Sequence, residues 1–557
     1  MSRTSPAGTP LGDAFHLYDT TLRDGAQREG ISYSVADKIA VARLLDALGV
    51  GFIEGGWPGA LPKDTEFFAR AATGELELGH AALVAFGSTR RAGRTASEDP
   101  QVQALLAAQA PVITLVAKSD RRHIERALRV DVAEACAMVR DTVALLVAQG
   151  RRVFVDAEHF FDGYSFDADC TLRVLEAGVT AGADVVVLCD TNGGQLPLGL
   201  AETVAEVVAR TGFRVGIHCQ DDTACAVANS VAAVQAGASH VQCTANGYGE
   251  RTGNADLFAV TGNLATKLGM AVLPGHGMAE LTRTAHALAE IANLAPDTHQ
   301  AYVGRSAFAH KAGLHASAIK VDPELYNHLD PSVVGNSQRV LVTEMAGRAS
   351  VELKGTELGL DLAGRSAAVS AVTKRVKELE SRGWSFEAAD ASFELLLRQE
   401  IDEVPPAPPF RLESYRVMVD HQADGDVVAQ ATVKVRVAGE RVIATAEGNG
   451  PVNALDGALR KALAAHLSWL DAVELSDYKV RILPGAHGTD AVTRVLVDSS
   501  DGAGPWTTVG VHGNVVEASW LALVDAMTYA ALRHAGTAAS AVAPASASNG
   551  RSGGSGS

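Results

Sequence analysis

The fold turns on residues 14–27, where Ala14-Phe15-His16-Leu17-Tyr18 runs straight into Asp19-Thr20-Thr21-Leu22-Arg23-Asp24-Gly25-Ala26-Gln27. The first five residues form a short apolar run that reads as a first β-strand. The next nine gather Asp19, Arg23, Asp24 and Gln27 at its carboxyl end. In a barrel of parallel strands, active sites are assembled at that end. A carboxylate there can hold a divalent cation, and an adjacent guanidinium can grip a carboxylate or a developing oxyanion. Taken alone, the stretch reads equally well as a polar loop with a surface ion pair. The rest of the chain decides between the two.

Working outward, seven more short apolar runs follow: Phe52–Glu54, Ala81–Phe86, Val112–Val116, Val153–Asp156, Val185–Cys189, Arg214–His218 and His240–Cys243. Each is followed by a helical pattern, such as Val35–Leu48 or Ala133–Ala148. Strands alternating with helices make βα units and a parallel sheet. Eight units in about 250 residues fit a (β/α)₈ TIM barrel. A doubly wound open sheet is the alternative, but no GxGxxG follows the first strand, which counts against dinucleotide binding.

The reading is α/β, with a catalytic TIM barrel over 14–275 and helical linker subdomains over 276–404, clearest at Met278–Leu294 and Ala367–Ser381. Pro405-Pro406-Ala407-Pro408-Pro409 breaks regular structure and reads as a stiff hinge. Beyond it, 410–535 forms a C-terminal α+β regulatory or dimerisation domain. Its predicted strands are Phe410–Val419, Val427–Val437, Glu440–Glu447, Tyr478–Leu483 and Val492–Ser499, and its helices Val452–Leu470 and Ala518–Leu532. Residues 1–13 and the Ala/Ser/Gly-rich 536–557 read as disordered, the last eight resembling an appended linker.

A chain of 557 residues is too long for one ordinary domain. Its 47% hydrophobic and 20% charged residues are those of a globular protein with large cores. A net charge of −17 argues against nucleic acid or an anionic membrane as main partner. The six cysteines form no CxxC pair, which suits buried thiols in a cytoplasmic protein rather than a disulfide scaffold. Residues 1–10 lack an apolar core and do not read as a secretory signal.

The polar residues at the strand ends converge. Asp19, Arg23, Asp24 and Gln27 follow the first strand and Glu54 ends the second. Asp156, Glu158 and His159 close the fifth, and Asp190, Thr191 and Asn192 the sixth. His218, Gln220, Asp221 and Asp222 end the seventh, and Asn246 the eighth. Such groups are costly to bury unless paired or metal-bound, so the cluster reads as a site. A carboxylate, an imidazole and amide oxygens suit Mg²⁺, Mn²⁺ or Zn²⁺. Such an ion beside Arg23 suits an α-keto acid whose ketone is made electrophilic.

DTTLRDGAQ, the IEGGWPG loop, HCQDD, NGYGERTGN, HKAGLHASAI and GNGPVNALDGAL, in this order over residues 14 to 535, resemble the Claisen-condensing isopropylmalate, homocitrate and citramalate synthases. GGWPG with Pro62-Lys63-Asp64 and the segment Ala157–Tyr164 are most similar to the citramalate branch, which joins acetyl-CoA to pyruvate on a route to isoleucine. The resemblance implies Asp24 and His218 as metal ligands with Asn246 near the metal, and Gln220, standing where the family has a ligating histidine, is the candidate to complete the set. It implies Arg23 and Glu158 as catalytic groups, and Arg23, Gln27, Glu54 and Thr191 as substrate-binding ones, Glu54 alternatively bracing Arg23. His315 and Tyr326, which otherwise read as a surface histidine and a core tyrosine, are implied to assist enolisation from a neighbouring subunit in a domain-swapped homodimer. It further implies isoleucine as effector of the C-terminal module. One departure stands out: the family pattern His-x-His-Asn-Asp is here His218-Cys219-Gln220-Asp221-Asp222. An amide oxygen in place of imidazole shifts preference from Zn²⁺ towards Mn²⁺ or Mg²⁺, and Asp221 or Asp222 is a candidate to compensate. The rival readings are the same chemistry on 2-ketoisovalerate or 2-ketoglutarate, and an amino-acid-binding regulatory protein on a degenerate barrel.

Overall fold

Eight parallel strands close into a barrel in simple sequence order in the computed structural model, which describes residues 12–343, 345–423, 425–483 and 491–541. They are β1 His16–Asp19, β2 Phe52–Glu54, β3 Ala82–Ser88, β4 Val112–Lys118, β5 Arg152–Glu158, β6 Val185–Asp190, β7 Val215–Cys219 and β8 His240–Cys243. Closure comes from β1 pairing with β8, His16 opposite His240 and Asp19 opposite Cys243. Every predicted barrel strand forms. Several run two residues further at the carboxyl end, carrying Ser88, Lys118 and Glu158 up to the rim.

The local reasons are ordinary ones. Helix Val35–Leu48 begins at Ser34, whose hydroxyl accepts from Asp37 N at 3.1 Å while the Asp37 carboxylate accepts from Ser34 N at 2.8 Å. That reciprocal cap satisfies two amides that the helix leaves unpaired. Around the barrel the aliphatic faces of strands and helices share one core, including Ile53, Val155, Leu188 and Val241, all fully buried. The barrel interior is a separate cluster of Tyr18, Phe52, Phe154 and Val187.

At the floor of the barrel the interior turns polar. His16 Nδ1 lies 3.2 Å from His240 Nδ1. His16 Nε2 meets Arg214 at 2.8 Å and Arg152 at 3.2 Å. Burial, then the Arg214 and Arg152 charges, push His16 down to about 4, against Asp13, which favours the cation. An imidazole depressed when folded binds its proton first in the unfolded chain, so stability is full above the free value near 6.5 and is lost as pH falls from there towards 4. At about 1.4 kcal/mol per pH unit the loss is about 3 kcal/mol. Urea midpoints measured from pH 7 to 4.5 are expected to fall in the parent and to stay flatter in His16→Gln; equal slopes would refute this.

The chain divides into two compact units, the first running through Phe308 and taking back Asn327–Gln338, the second comprising Ala309–Tyr326 and the chain from Arg339 on. The segment 276–404, expected as helical linker subdomains, is shared between the two units. The second unit holds β9 Ala309–His310 paired with β10 Arg339–Val340, then helices Arg348–Glu357, Ser366–Glu380 and Asp390–Ile401. Two β-β-β-α repeats follow. β11 Arg411–His421, β12 Val427–Val437 and β13 Glu440–Gly448 precede helix Pro451–Leu463; β14 Glu474–Ile482, β15 Thr493–Ser500 and β16 Pro505–His512 precede helix Val515–Ala541.

The sequence reading has five strands here, and the sixth, β16, is the addition. Its Gly510 sits where a Cβ would come within 2.0 Å of Ala518 O on the last helix, so the strand and helix meet backbone to backbone. Residues 405–409 are irregular, but they do not separate two independent bodies. Ser392 Oγ, before them, donates to Asp525 Oδ2 at 2.7 Å, and Tyr529 OH donates to Glu394 Oε2 at 2.9 Å. The last helix is long and apolar enough over Val515–Ala535 to cross a membrane by length and composition. It carries Glu517 and Asp525, and buries Ala518, Trp520, Leu523 and Met527 in the module's core. It runs to Ala541, past residue 536 where the tail was expected to begin. Gly12–Ala14 form a short turn of helix inside the expected N-terminal tail. Residues 1–11 and 542–557, including the expected linker, lie outside the described residues.

Candidate active site

The carboxyl ends of the barrel strands frame a cavity of about 580 Å³, with Arg23, Asp24, Glu158, Thr191, His218 and Gln220 among its walls. Glu54 is its foundation. The carboxylate is fully buried at the end of β2, with Oε2 taken by Tyr18 OH. Its Oε1 accepts from Thr20 Oγ1 at 2.6 Å and from Arg23 Nε at 2.5 Å. Glu54 therefore braces Arg23, and its oxygens are spent on protein donors rather than held out to a substrate. Arg23 also donates from its Nη1 to Asp24 Oδ2 at 2.9 Å and lies 3.9 Å above the Phe86 ring. Burial opposes the Arg23 charge, but Glu54 and Asp24 outweigh it and raise the guanidinium above its ordinary value. Charge-assisted bonds on two sides and an aromatic face below fix the cation in one orientation. Asp19 plays a purely internal part, accepting from Thr21 N at 2.9 Å and Thr21 Oγ1 at 2.7 Å.

Beside Arg23, four side chains meet. His218 Nε2 is 3.6 Å from Asp24 Oδ2, and Asn254 Nδ2 donates to Asp24 Oδ1 at 3.0 Å. Burial works against the Asp24 charge, but Arg23 and His218, with bonds from Asn254 and Gln220, hold the carboxyl below its usual range. The amide oxygens of Gln220 and Asn254 are both buried and without a hydrogen-bond partner. Two buried, unsatisfied acceptors are expensive. Both amides give their nitrogens to Asp24; with each turned over, a cation shared with Asp24 and His218 would satisfy both oxygens, and three oxygens with one nitrogen suit a divalent ion. These residues fit a metal.

Asn246 does not join that set. It sits at φ +55°, its amide donating to Tyr248 OH at 3.1 Å and Ala285 O at 3.0 Å, its oxygen accepting from Gln300 at 3.0 Å. Every polar atom is spent behind the eighth strand. Asn254, the last residue of NGYGERTGN, takes the place because the loop folds back and pairs Asn254 with Gln220. The proposed compensators are also engaged elsewhere: Asp222 is gripped by Arg251 at 2.8 and 2.9 Å, and Asp221 Oδ1 accepts from Ala226 N at 2.8 Å.

Thr191 Oγ1 accepts from His159 N at 2.8 Å and keeps its own hydrogen free for the cavity. Glu158 forms an ion pair with Lys118, directly opposite it on β4. His159, at φ +58°, stacks on His123 with ring centroids 3.9 Å apart. Gln27 lies on the cavity wall and is exposed. Asp156, on β5, is pushed up to about 8, first by burial and then by the Glu54 charge. Asn254, Gln242 and Phe86 are the side chains here that sequence reasoning missed. The legible signal for Gln242 was alternation, since His240 and Gln242 share the inward face of β8. His315 and Tyr326 belong to the second unit, where their rings stack with centroids 4.2 Å apart and His310 is 6.2 Å from His315.

The HMGL-like family model matches residues 14–291, that of the homocitrate synthase post-HMGL domain-like family residues 302–383, and that of the LeuA allosteric (dimerisation) domain residues 387–531. An (R)-citramalate synthase of Streptomyces coelicolor is 62% identical over 95% of this chain and 98% of its own length. An (R)-citramalate synthase of Synechocystis is 47% identical over 92% and 95%. A probable 2-isopropylmalate synthase of Methanopyrus kandleri is 33% identical over 94% and 99%.

Proposed function

This chain belongs to the (R)-citramalate synthase family of acyl-transferring enzymes, and from that premise we propose that it condenses acetyl-CoA with pyruvate to give (R)-citramalate and CoA. The observation that carries the reading is the braced Arg23 beside Asp24 and His218, with the amides of Gln220 and Asn254 against Asp24 and their oxygens buried without a partner. Asp24, His218, Gln220 and Asn254 would hold the metal, Mn²⁺ or Mg²⁺ before Zn²⁺. When bound it supplies Lewis acidity at the keto acid's ketone oxygen.

The chain's own residues do the rest. Arg23 holds the keto acid and faces the alkoxide that forms when the enolate carbon attacks the ketone, a donor already in place when charge develops. The Thr191 hydroxyl donates to the pyruvate carboxylate. Glu158 stands by the acetyl group. His315 and Tyr326, presented by a partner subunit, assist removal of the methyl proton. Water then cleaves the citramalyl thioester and CoA leaves as the thiol. The match to a dimerisation domain supports a homodimer. All six cysteines are free, five of them buried, which supports a cytoplasmic setting.

In the second unit a cavity of about 950 Å³ lies against helix Pro451–Leu463, lined by Asn449, Val452, Arg460, Asp471, Val473 and Tyr478 among others. Apolar walls with charged groups at hand suit a branched amino acid, and isoleucine is the proposed feedback effector there, coupled to the barrel site.

The deciding experiment is release of free CoA from acetyl-CoA with Mn²⁺, comparing pyruvate, 2-ketoisovalerate and 2-ketoglutarate. Release with pyruvate alone is expected; preference for another acid moves the chain within its family, and no release with any refutes the reading. For the metal, the parent is expected to bind Mn²⁺. Gln220→His is expected to bind at least about tenfold tighter and to shift towards Zn²⁺. Absence of binding by the parent in calorimetry would overturn the metal assignment.

A further inference from the structure

A polar chain crosses the barrel interior behind His218, and the reaction scheme leaves it unused. His218 on β7 and Gln242 on β8 face each other in register. His218 Nδ1 lies 2.8 Å from Gln242 Oε1. Gln242 Nε2 donates across the barrel to Asp156 Oδ1 at 2.9 Å. Gln242 is 1% exposed and Asp156 4%. A glutamine in that position costs desolvation unless both ends of its amide are bonded, and here both are.

The arrangement decides which imidazole nitrogen carries hydrogen. A carbonyl oxygen only accepts, so Nδ1 must donate, and a neutral ring then has a bare lone pair on Nε2. That nitrogen is the one beside Asp24, the carboxylate on which the Gln220 and Asn254 amides also converge. The opposite orientation of the Gln242 amide would put the hydrogen on Nε2. Asp24, at 3.6 Å, is out of hydrogen-bonding range for it. A histidine that ligates through one nitrogen characteristically donates from the other to a fixed acceptor.

We propose that Gln242 is a positioning residue for the metal: it accepts the Nδ1 hydrogen of His218, holds the tautomer that leaves Nε2 for the cation, and is itself kept the right way round by Asp156. The inference rests on the reading of Asp24, His218, Gln220 and Asn254 as metal-binding residues.

Two measurements on the full-length chain test it. The first is the imidazole nitrogen spectrum of metal-free protein carrying ¹⁵N-histidine, with His218→Asn used only to assign the His218 signals. The second is Mn²⁺ affinity by chelator competition in the parent, in Gln242→Met, which keeps the length and lacks the acceptor, and in Gln242→Glu, which keeps an acceptor. The expected results are the Nδ1–H tautomer at His218, a loss of about 10- to 100-fold in Gln242→Met, and affinity within about threefold of the parent in Gln242→Glu. The Nε2–H tautomer in the parent overturns the proposal and decides it alone should Gln242→Met fail to fold. Unchanged Mn²⁺ affinity in Gln242→Met, beside normal binding by the parent, overturns the inference and leaves the metal reading intact. No binding by the parent overturns both.

Discussion

Replacing Arg23 with lysine is expected to lower kcat/KM for the condensation by about 10²- to 10³-fold while leaving the barrel folded, the size of effect seen when one oxyanion donor is lost. The charge survives the substitution; the geometry does not. Arg23 reaches Glu54 through Nε and Asp24 through Nη1, and sits over the Phe86 ring. An ammonium is a single point of charge that cannot span two carboxylates and stack at once. Glu54 keeps its bonds from Tyr18 and Thr20, so the buried carboxylate is not stranded and the fold should hold. Both parameters should move: KM for the keto acid rises because Arg23 holds it, and kcat falls because the alkoxide charge develops only as the carbon–carbon bond forms. Steady-state kinetics beside the unfolding curve checks this. Activity within tenfold of the parent would mean that Arg23 is structural, and the proposed role would be withdrawn.

The barrel was legible because its information is local. Eight β-branched runs, each followed by a helical period, admit few closed arrangements. Even the ends of helix Val35–Leu48 follow from Ser34, Asp37 and Gly49, all within one turn of the boundary. What the sequence hid is set by long-range packing. β16 begins at Pro505 after Asp501-Gly502-Ala503-Gly504, which reads as turn, and it exists as a strand because β15 pairs along its whole length. Residues 405–409 read as a hinge because proline breaks local structure. Only the bonds from Ser392 and Glu394 to the last helix show that the flanks share one body.

The site divides in the same way. Arg23, Asp24, Glu158, Thr191, His218 and Gln220 were legible, because side chains at the carboxyl ends of barrel strands share a rim whatever their loops do. The sequence points to Asn246, which stands at the strand end, and offers nothing that singles out Asn254. The loop between them decides otherwise, turning through positive φ at Asn246, Gly247, Gly249, Arg251 and Gly253. The reversal brings Asn254 beside Gln220, 34 positions earlier in the chain. Glu54 could be placed on the rim from sequence. That Tyr18, Thr20 and Arg23 would consume its oxygens depended on rotamers and on β1 lying against β2.

Lys38→Met is expected to destabilise the barrel by about 3–5 kcal/mol, the penalty for breaking a buried ion pair from one side. Lys38 is 3% exposed and Asp64 2%. They form an ion pair, and Lys38 Nζ also donates to Gly55 O at 2.9 Å while Asp64 Oδ2 accepts from Trp57 N at 2.8 Å. Burial pulls the Lys38 ammonium below its ordinary value, against the Asp64 charge that favours it. The loop between the two is held as tightly: Gly56 has φ +138°, and a Cβ there would lie 2.4 Å from the Asp64 carboxylate. Methionine fills the space of the lysine stem but strands both Asp64 and the Gly55 carbonyl. Lys38→Met with Asp64→Leu removes both charges and should recover part of the loss, since a matched apolar pair escapes the desolvation cost. The effect should reach the chemistry as well. Trp57 packs edge-on against Phe86 at 5.2 Å, and Phe86 carries Arg23. Loosening residues 55–59 should therefore lower kcat in the single variant even where it remains folded. Urea unfolding of the barrel transition, run on the parent, the single and the double variants, decides the matter. A single variant within 1 kcal/mol of the parent, or a double variant worse than the single, would show that this pair does not hold the loop.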